Sequence, residues 1–276
     1  MSYTYQRTYQ GPLKLAIFDW AGTMIDYGCC APAAAFIEGY RRKEIKITMA
    51  QAREPMGMGK WDHIKVIGEM ASVVAQWERF YGRSLTDADV DDMYADFVPV
   101  LMDVLVDYTT LIPSAAETAV FLRQNNILVA GTTGYFEEAM QVCVDAAAKQ
   151  GYSPDLSMCA TQVSGGRPAP WLIYNVMEKL NVQPREAVVK IGDTVPDIEA
   201  GLNAGVWTIG VAQTGNEVGL TQAEIAQLDQ ADLAKRVAKA RQKLLQSGAH
   251  YVVDGVWDVP LVVEQINGRL ARGERP

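Results

Sequence analysis

The sequence contains no apolar run approaching the roughly 20 residues needed to span a bilayer, so no transmembrane segment is expected. Its opening residues, Met1 to Pro12, are polar and aromatic, unlike the apolar core of a secretory signal. Positive charge is scarce relative to negative: the formal net charge is −8. That balance argues against a large nucleic-acid or anionic-membrane surface. The four cysteines, Cys29, Cys30, Cys143 and Cys159, have no C-x-x-C spacing, which excludes the usual zinc and redox patterns. Adjacent Cys29 and Cys30 are poor disulfide partners, and a reducing cytoplasm is the expected location. Internal repeats and low-complexity tracts are absent too.

What is present is ample core material. Apolar residues make up 49% of 276 residues, enough for one α/β domain and a smaller insert. Short apolar runs at 15–18, 127–130, 188–191, 206–211 and 251–253 read as buried strands. Helical patterns at 114–124, 136–149 and 171–180 separate them, which predicts a parallel sheet covered on both faces. Residues 27–106 differ. Apolar residues there recur at helical spacing over 73–81 and 90–105, with capping groups at Thr86-Asp87-Ala88-Asp89. The expected organisation is an α/β core from 1–26 and 107–276 with a helical insert at 27–106. A polar amphipathic segment occupies 221–246.

Polar chemistry collects at the predicted strand ends, where ligands bind in such sheets. Asp19 ends the first run, followed by Trp20, Ala21, Gly22 and Thr23. Asp193 ends another, with Asp197 one helical turn beyond it. Carboxylates on neighbouring strand ends form a hard oxygen site suited to Mg²⁺, which offsets repulsion between a carboxylate nucleophile and an anionic substrate. Thr132 and Thr133 follow a strand, and Arg167 can grip a phosphoryl group with paired hydrogen bonds. Singly, each has an ordinary reading as a cap, a turn or a solvated charge. Their order along the chain is what carries weight.

Asp19-Trp-Ala-Gly-Thr23, Thr132-Thr-Gly134, Gly166-Arg-Pro-Ala-Pro170 and Gly192-Asp-Thr-Val-Pro-Asp197 resemble, in order, the four motifs of the haloacid dehalogenase (HAD) superfamily. The resemblance implies a Rossmann-like parallel-sheet core with a helical C1-type cap. It implies that Asp19 forms an aspartyl-phosphate. Asp19, Asp193 and the Ala21 carbonyl would hold Mg²⁺, Thr133 and Arg167 would bind phosphoryl oxygens, and Asp197 would orient the site.

Superfamily phosphatases usually carry an acid two residues after the nucleophile. Here that residue is Ala21, which cannot transfer a proton. The insert offers a substitute in Met56-Gly-Met-Gly-Lys60-Trp-Asp-His63. A neutral lysine forms an imine with an aldehyde, and an iminium accepts the electrons of a breaking carbon–phosphorus bond. If Lys60 starts a helix, His63 lies one turn along the same face. Gly57-x-Gly-Lys60 is not a phosphate-binding P-loop, because Trp61 stands where Ser or Thr is needed.

These residues, with Asp26-Tyr27-Gly28 and Thr133-Gly134-Tyr135, resemble the phosphonoacetaldehyde hydrolase family. The resemblance implies Lys60 as imine former, with Met56, His63, Gly134 and Tyr135 lining the site. It also implies a homodimer through cap helices. Met24 and Met58-Gly59 depart from the family pattern without removing a chemical group. The rival expectations are a phosphomonoesterase of a small metabolite and a non-catalytic binder of phosphorylated ligands.

Overall fold

The protein is described by a computed structural model over residues 8–276; residues 1–7 of the expected core segment lie outside the described residues. Strand β1 (Leu15–Asp19) is buried along its whole length. Five helices follow: α1 (Cys30–Arg42), α2 (Met49–Arg53), α3 (Lys60–Gly68), α4 (Ala71–Tyr81) and α5 (Asp87–Leu105). They pack largely on one another, with α1 and α3 both against α5. Phe36 of α1 stacks on Phe97 of α5 at 4.6 Å between ring centres, and the Tyr40 hydroxyl donates to the Ile64 carbonyl of α3 at 2.6 Å. Thr86 and Asp89 cap α5 reciprocally, as their spacing predicts, although the helix begins at Asp87 rather than near Val90. Asp87 and Asp89 sit in its first turn, where the helix dipole favours negative charge.

The chain then alternates: α6 (Ala115–Gln124), β2 (Leu128–Thr133), α7 (Glu137–Lys149), β3 (Leu156–Cys159), α8 (Trp171–Lys179), β4 (Val188–Gly192), α9 (Val195–Ala204) and β5 (Trp207–Val211). It closes with α10 (Gln222–Gln227), α11 (Gln230–Gln246), β6 (Tyr251–Val253) and α12 (Val259–Ala271). All strand pairings are parallel, in the order β3-β2-β1-β4-β5-β6. This is the α/β parallel-sheet fold expected, with an additional helical region. No helix among the described residues is long and apolar enough to cross a membrane.

Side chains alternate across β1, so both faces are apolar. Leu15 and Ile17 join the cluster under α8 and α9, while Ala16 and Phe18 join the one that includes α6, α7 and α12. The expected amphipathic segment at 221–246 is two helices. Asp229 breaks it by accepting a hydrogen bond from Ala231 N–H at 2.9 Å as the cap of α11.

The sheet order fixes where a site can form. From β1 the chain moves outward through β2 and β3, then returns to β4 on the other side. Connections above β1 and β4 therefore diverge and leave a crevice at the C-terminal strand ends.

Candidate active site

Asp19 is the last residue of β1, and Asp193 directly follows β4, its neighbour. Both carboxylates thus reach the same crevice. Thr132 pairs with Asp19 in register across β1 and β2, and Thr133 ends β2 one step further. Asp197 enters from the first turn of α9. One oxygen from each of Asp19, Asp193 and Asp197 lies within 4.8 Å of the others, all three buried.

The three carboxylates are held differently. Asp197 is fully engaged: Lys190 Nζ lies 2.7 Å from its Oδ1, Thr194 donates to Oδ2 at 2.6 Å, and Arg167 Nη1 also donates to Oδ1. Burial acts to raise its pKa, but Arg167 and Lys190 outweigh burial and hold the carboxyl below its ordinary range. Gly192 must be glycine, since any Cβ there would collide with the Asp197 side chain. Asp193 accepts from Asn216 N–H at 2.7 Å and from the Thr23 hydroxyl at 3.4 Å. Burial, then the neighbouring Asp19 and Asp197 charges, push Asp193 far above the ordinary carboxylate range. Asp19 is raised by burial too, opposed chiefly by Arg167. Its Oδ1 stands 2.9 Å from Arg167 Nη1, yet the pair lacks hydrogen-bond alignment and Oδ1 has no hydrogen-bond partner.

That imbalance is a test for a metal. Asp19 and Asp193 form a buried carboxyl pair with one orphaned oxygen, each penalised as an anion by burial, while Asp197 is already neutralised by two cations. The donor set fits a hard divalent cation held by Asp19 and Asp193, with Asp197 as a support rather than a ligand.

Lys60 is the first residue of α3 and is 6% exposed. Its Nζ lies 5.0 Å from the centre of the Tyr135 ring and 5.5 Å from that of Phe36. Burial is the main cause lowering its pKa, with Arg167 adding to it, against a raising contribution from Cys29; the outcome is about 8. Its place at a helix N-terminus, where the dipole disfavours cations, acts in the same direction.

Asp19, Lys60, Met56, Gly134, Tyr135 and Arg167 all line one small chamber between the core and the helical region. Ala21 and Thr133 line it as well. Thr133 Oγ1 accepts from Tyr135 N–H at 3.1 Å, leaving its own proton available to an oxyanion. The chamber's free volume is about 20 Å³, little more than one water requires. A second, larger cavity of about 210 Å³ shares Lys60, Gly134 and Tyr135 with it and is bounded by Trp61, Tyr94 and Phe136.

His63 is not in the chamber wall. Its ring stacks on Phe36 at 3.7 Å and its Nε2 lies 2.9 Å from the Ala52 carbonyl, which assigns the proton to Nε2. Burial first, and the Lys60 charge second, depress its pKa well below the ordinary value. Thr132 also stays behind the chamber, buried without a hydroxyl partner.

Several residues that shape the site escaped sequence reasoning. Lys190 and Thr194 secure Asp197, Cys29 and Thr194 line the chamber, and Phe36 faces Lys60. Lys190 left a signal, as an ionisable residue inside an otherwise apolar buried strand. Phe36 and Cys29 left none, because only the packing of α1 over the core brings them near.

Comparison with known proteins identifies the family. A family model described as haloacid dehalogenase-like hydrolase matches residues 13–205. A phosphonoacetaldehyde hydrolase of Syntrophobacter fumaroxidans is 42% identical over 270 residues, covering 98% of each chain. One from Salmonella agona is 42% identical over 266 residues, covering 96% of this chain and 99% of its own. The crystal structure of a phosphonoacetaldehyde hydrolase-like protein from Oleispira antarctica superposes with a TM-score of 0.98 at 37% identity, each chain fully covered. The chain therefore belongs to the haloacid dehalogenase-like hydrolases and, within them, to the phosphonoacetaldehyde hydrolase family.

Proposed function

We propose that this protein hydrolyses the carbon–phosphorus bond of phosphonoacetaldehyde, giving acetaldehyde and phosphate. One observation carries the reading: the buried amine of Lys60 and the carboxylate of Asp19 share a chamber in which position 21 offers only alanine. A phosphate-ester hydrolase has no use for that lysine, and a carbon–phosphorus hydrolase has no need of the missing acid.

In this reading the neutral Lys60 amine attacks the aldehyde carbon, and uptake of one proton with loss of water gives an iminium. Asp19 attacks phosphorus in line. The carbon–phosphorus electron pair flows into the iminium, producing an enamine on Lys60 and an aspartyl-phosphate on Asp19. Protonation of the enamine carbon and addition of water release acetaldehyde, and a second water frees phosphate from Asp19. Arg167 and Thr133 bind phosphoryl oxygens, Asp197 fixes Arg167, and Tyr135 and Met56 shape the wall around the amine. His63 supports Lys60 from behind, through Phe36, rather than touching substrate. Mg²⁺ is the cation assigned to Asp19, Asp193 and the Ala21 carbonyl; when bound it offsets charge repulsion between carboxylate and phosphonate. Residues 27–106 act as a cap over the core.

The same reading includes a homodimer formed through cap helices, where Phe80 and Tyr81 of α4 are exposed. The reading extends to a cytoplasmic location, with which the four free cysteines are consistent.

The test is borohydride trapping with phosphonoacetaldehyde and Mg²⁺, followed by peptide mass spectrometry. An ethyl group on the Lys60 peptide is expected, recording imine formation and carbon–phosphorus cleavage together. An unmodified Lys60, under conditions that label a known imine-forming enzyme, would overturn the proposal.

A further inference from the structure

Helix α2 ends in Arg53, whose guanidinium reaches out of the helical region to two other parts of the chain. Its Nη1 donates to the carbonyls of Gly28 at 2.7 Å and Cys29 at 3.2 Å, in the segment joining β1 to α1. The same nitrogen donates to Asn216 Oδ1 at 3.1 Å, and Nη2 to the Gly219 carbonyl at 3.2 Å. Asn216 and Gly219 belong to the loop after β5. Asn216 answers with its own amide, donating from Nδ2 to the Arg53 carbonyl at 3.1 Å. The contact is reciprocal and 95% buried on the asparagine side, Asn216 being 5% exposed.

Asn216 has a second attachment. Its backbone N–H holds Asp193 Oδ2 at 2.7 Å. Arg53, meanwhile, lies just before the loop 54–59 that delivers Lys60. The two groups meeting in this contact are therefore the neighbours of the core carboxylate and of the amine. Glycines allow the approach: any Cβ on Gly219 would press on the Arg53 guanidinium, and one on Gly28 would strike the Leu220 carbonyl.

We propose that Arg53 and Asn216 are a positioning pair for the reaction, a clasp that holds Lys60 over Asp19. Neither residue lines the chamber, so neither touches substrate. The clasp fixes the α2–α3 loop against the loop that orients Asp193, so the amine and the carboxylate site keep one relative geometry. The arginine fork is essential to it, since one guanidinium serves four carbonyl or amide oxygens at once. This inference rests on the proposed Lys60 chemistry for its kinetic consequence but not for its structural one.

Asn216→Ala is the cleanest variant. It keeps the backbone N–H on Asp193 and removes only the side-chain bonds to Arg53. Arg53→Lys keeps the charge and removes the fork, and Arg53→Ala, made alone and combined with Asn216→Ala, closes a double-mutant cycle. Each single variant is expected to lose about tenfold in kcat/KM for phosphonoacetaldehyde, the size associated with a charged hydrogen bond. The double variant is expected to lose no more than the worse single one. Inhibition by inorganic phosphate, which needs the core groups alone, should stay unchanged. Hydrogen–deuterium exchange should accelerate over 54–60 in every variant, with no substrate present. Additive losses, a fully active Arg53→Lys, or unchanged exchange over 54–60 would each overturn the clasp. Failure of wild-type protein to cleave phosphonoacetaldehyde would remove the proposed function, and the exchange measurement would still decide the clasp.

Discussion

Lys60 Nζ faces the ring of Tyr135 at 5.0 Å from its centre, and no carboxylate forms an ion pair with it among the described residues. An ammonium there draws some stabilisation from the two aromatic faces, about 1 kcal/mol, but loses its hydration to burial. Burial wins, and the pKa falls from 10.5 to about 8. The amine must be neutral to attack an aldehyde, so the rate of imine trapping should climb between pH 6 and 9 and level off above. Single-turnover borohydride trapping across that range measures it. A profile flat throughout, or one still climbing steeply past pH 10, would contradict the assigned environment of Lys60.

The same residue should cost stability. Between about 8 and 10.5 the unfolded chain binds a proton at Lys60 that the folded chain does not, so stability from this group rises with pH in that window. Below about 8 both states are protonated and the folded protein carries the full penalty, about 3 kcal/mol from the shift less what the rings return. Lys60→Met should therefore be more stable than wild type by about 2 kcal/mol at pH 7. The difference should vanish as pH approaches 10.5. Urea unfolding of both proteins at several pH values gives the comparison, and a less stable Lys60→Met at pH 7 would refute it.

The parts of the site that could be read from the sequence are those set by strand ends. Asp19 and Asp193 each terminate an apolar run, and a parallel sheet must deliver such residues to one edge. Thr86 and Asp89 were legible because a capping box is local. Strand β3 was not: four residues including Ser157 and Cys159 have no distinctive pattern, and pairing with β2 creates the strand. The Arg53–Asn216 contact spans 163 positions, and no local chemistry announces it. His63 shows the limit of helical spacing. It does lie one turn from Lys60 on α3, but stacking on Phe36 draws it into the interior of the helical region instead of the chamber.

In the proposed function, Ala21 sets the reaction class. It lines the chamber and is 7% exposed, so nothing at that position can protonate an ester oxygen. General acid–base assistance contributes roughly 100-fold to 10,000-fold. Wild-type protein should accordingly turn over simple phosphate monoesters at least about 100-fold more slowly than phosphonoacetaldehyde. A panel of small phosphate esters assayed beside the phosphonate tests this. Comparable turnover of any ester would restore the phosphomonoesterase reading.

The fit of the helical region over so small a chamber depends on glycine at two points of contact. Gly57 has φ +98° and lies where any Cβ would overlap the Thr194 side chain, while a Cβ on Gly134 would overlap the Met58 carbonyl. The first faces the core from the loop between α2 and α3, and the second faces that loop from the end of β2. Backbone cannot yield as a flexible side chain does, so Gly134→Ala must push the 56–59 loop outward and carry Lys60 with it. A displacement near 1 Å in such geometry costs about 100-fold in rate, and that is the expected fall in kcat/KM with the fold intact by circular dichroism. Gly39 supplies the contrast: it lies inside α1 with nothing within 4 Å of an added Cβ. Gly39→Ala should raise stability by about 0.5–1 kcal/mol and leave activity alone. Full activity in Gly134→Ala would show that the α2–α3 loop does not need this close approach for catalysis.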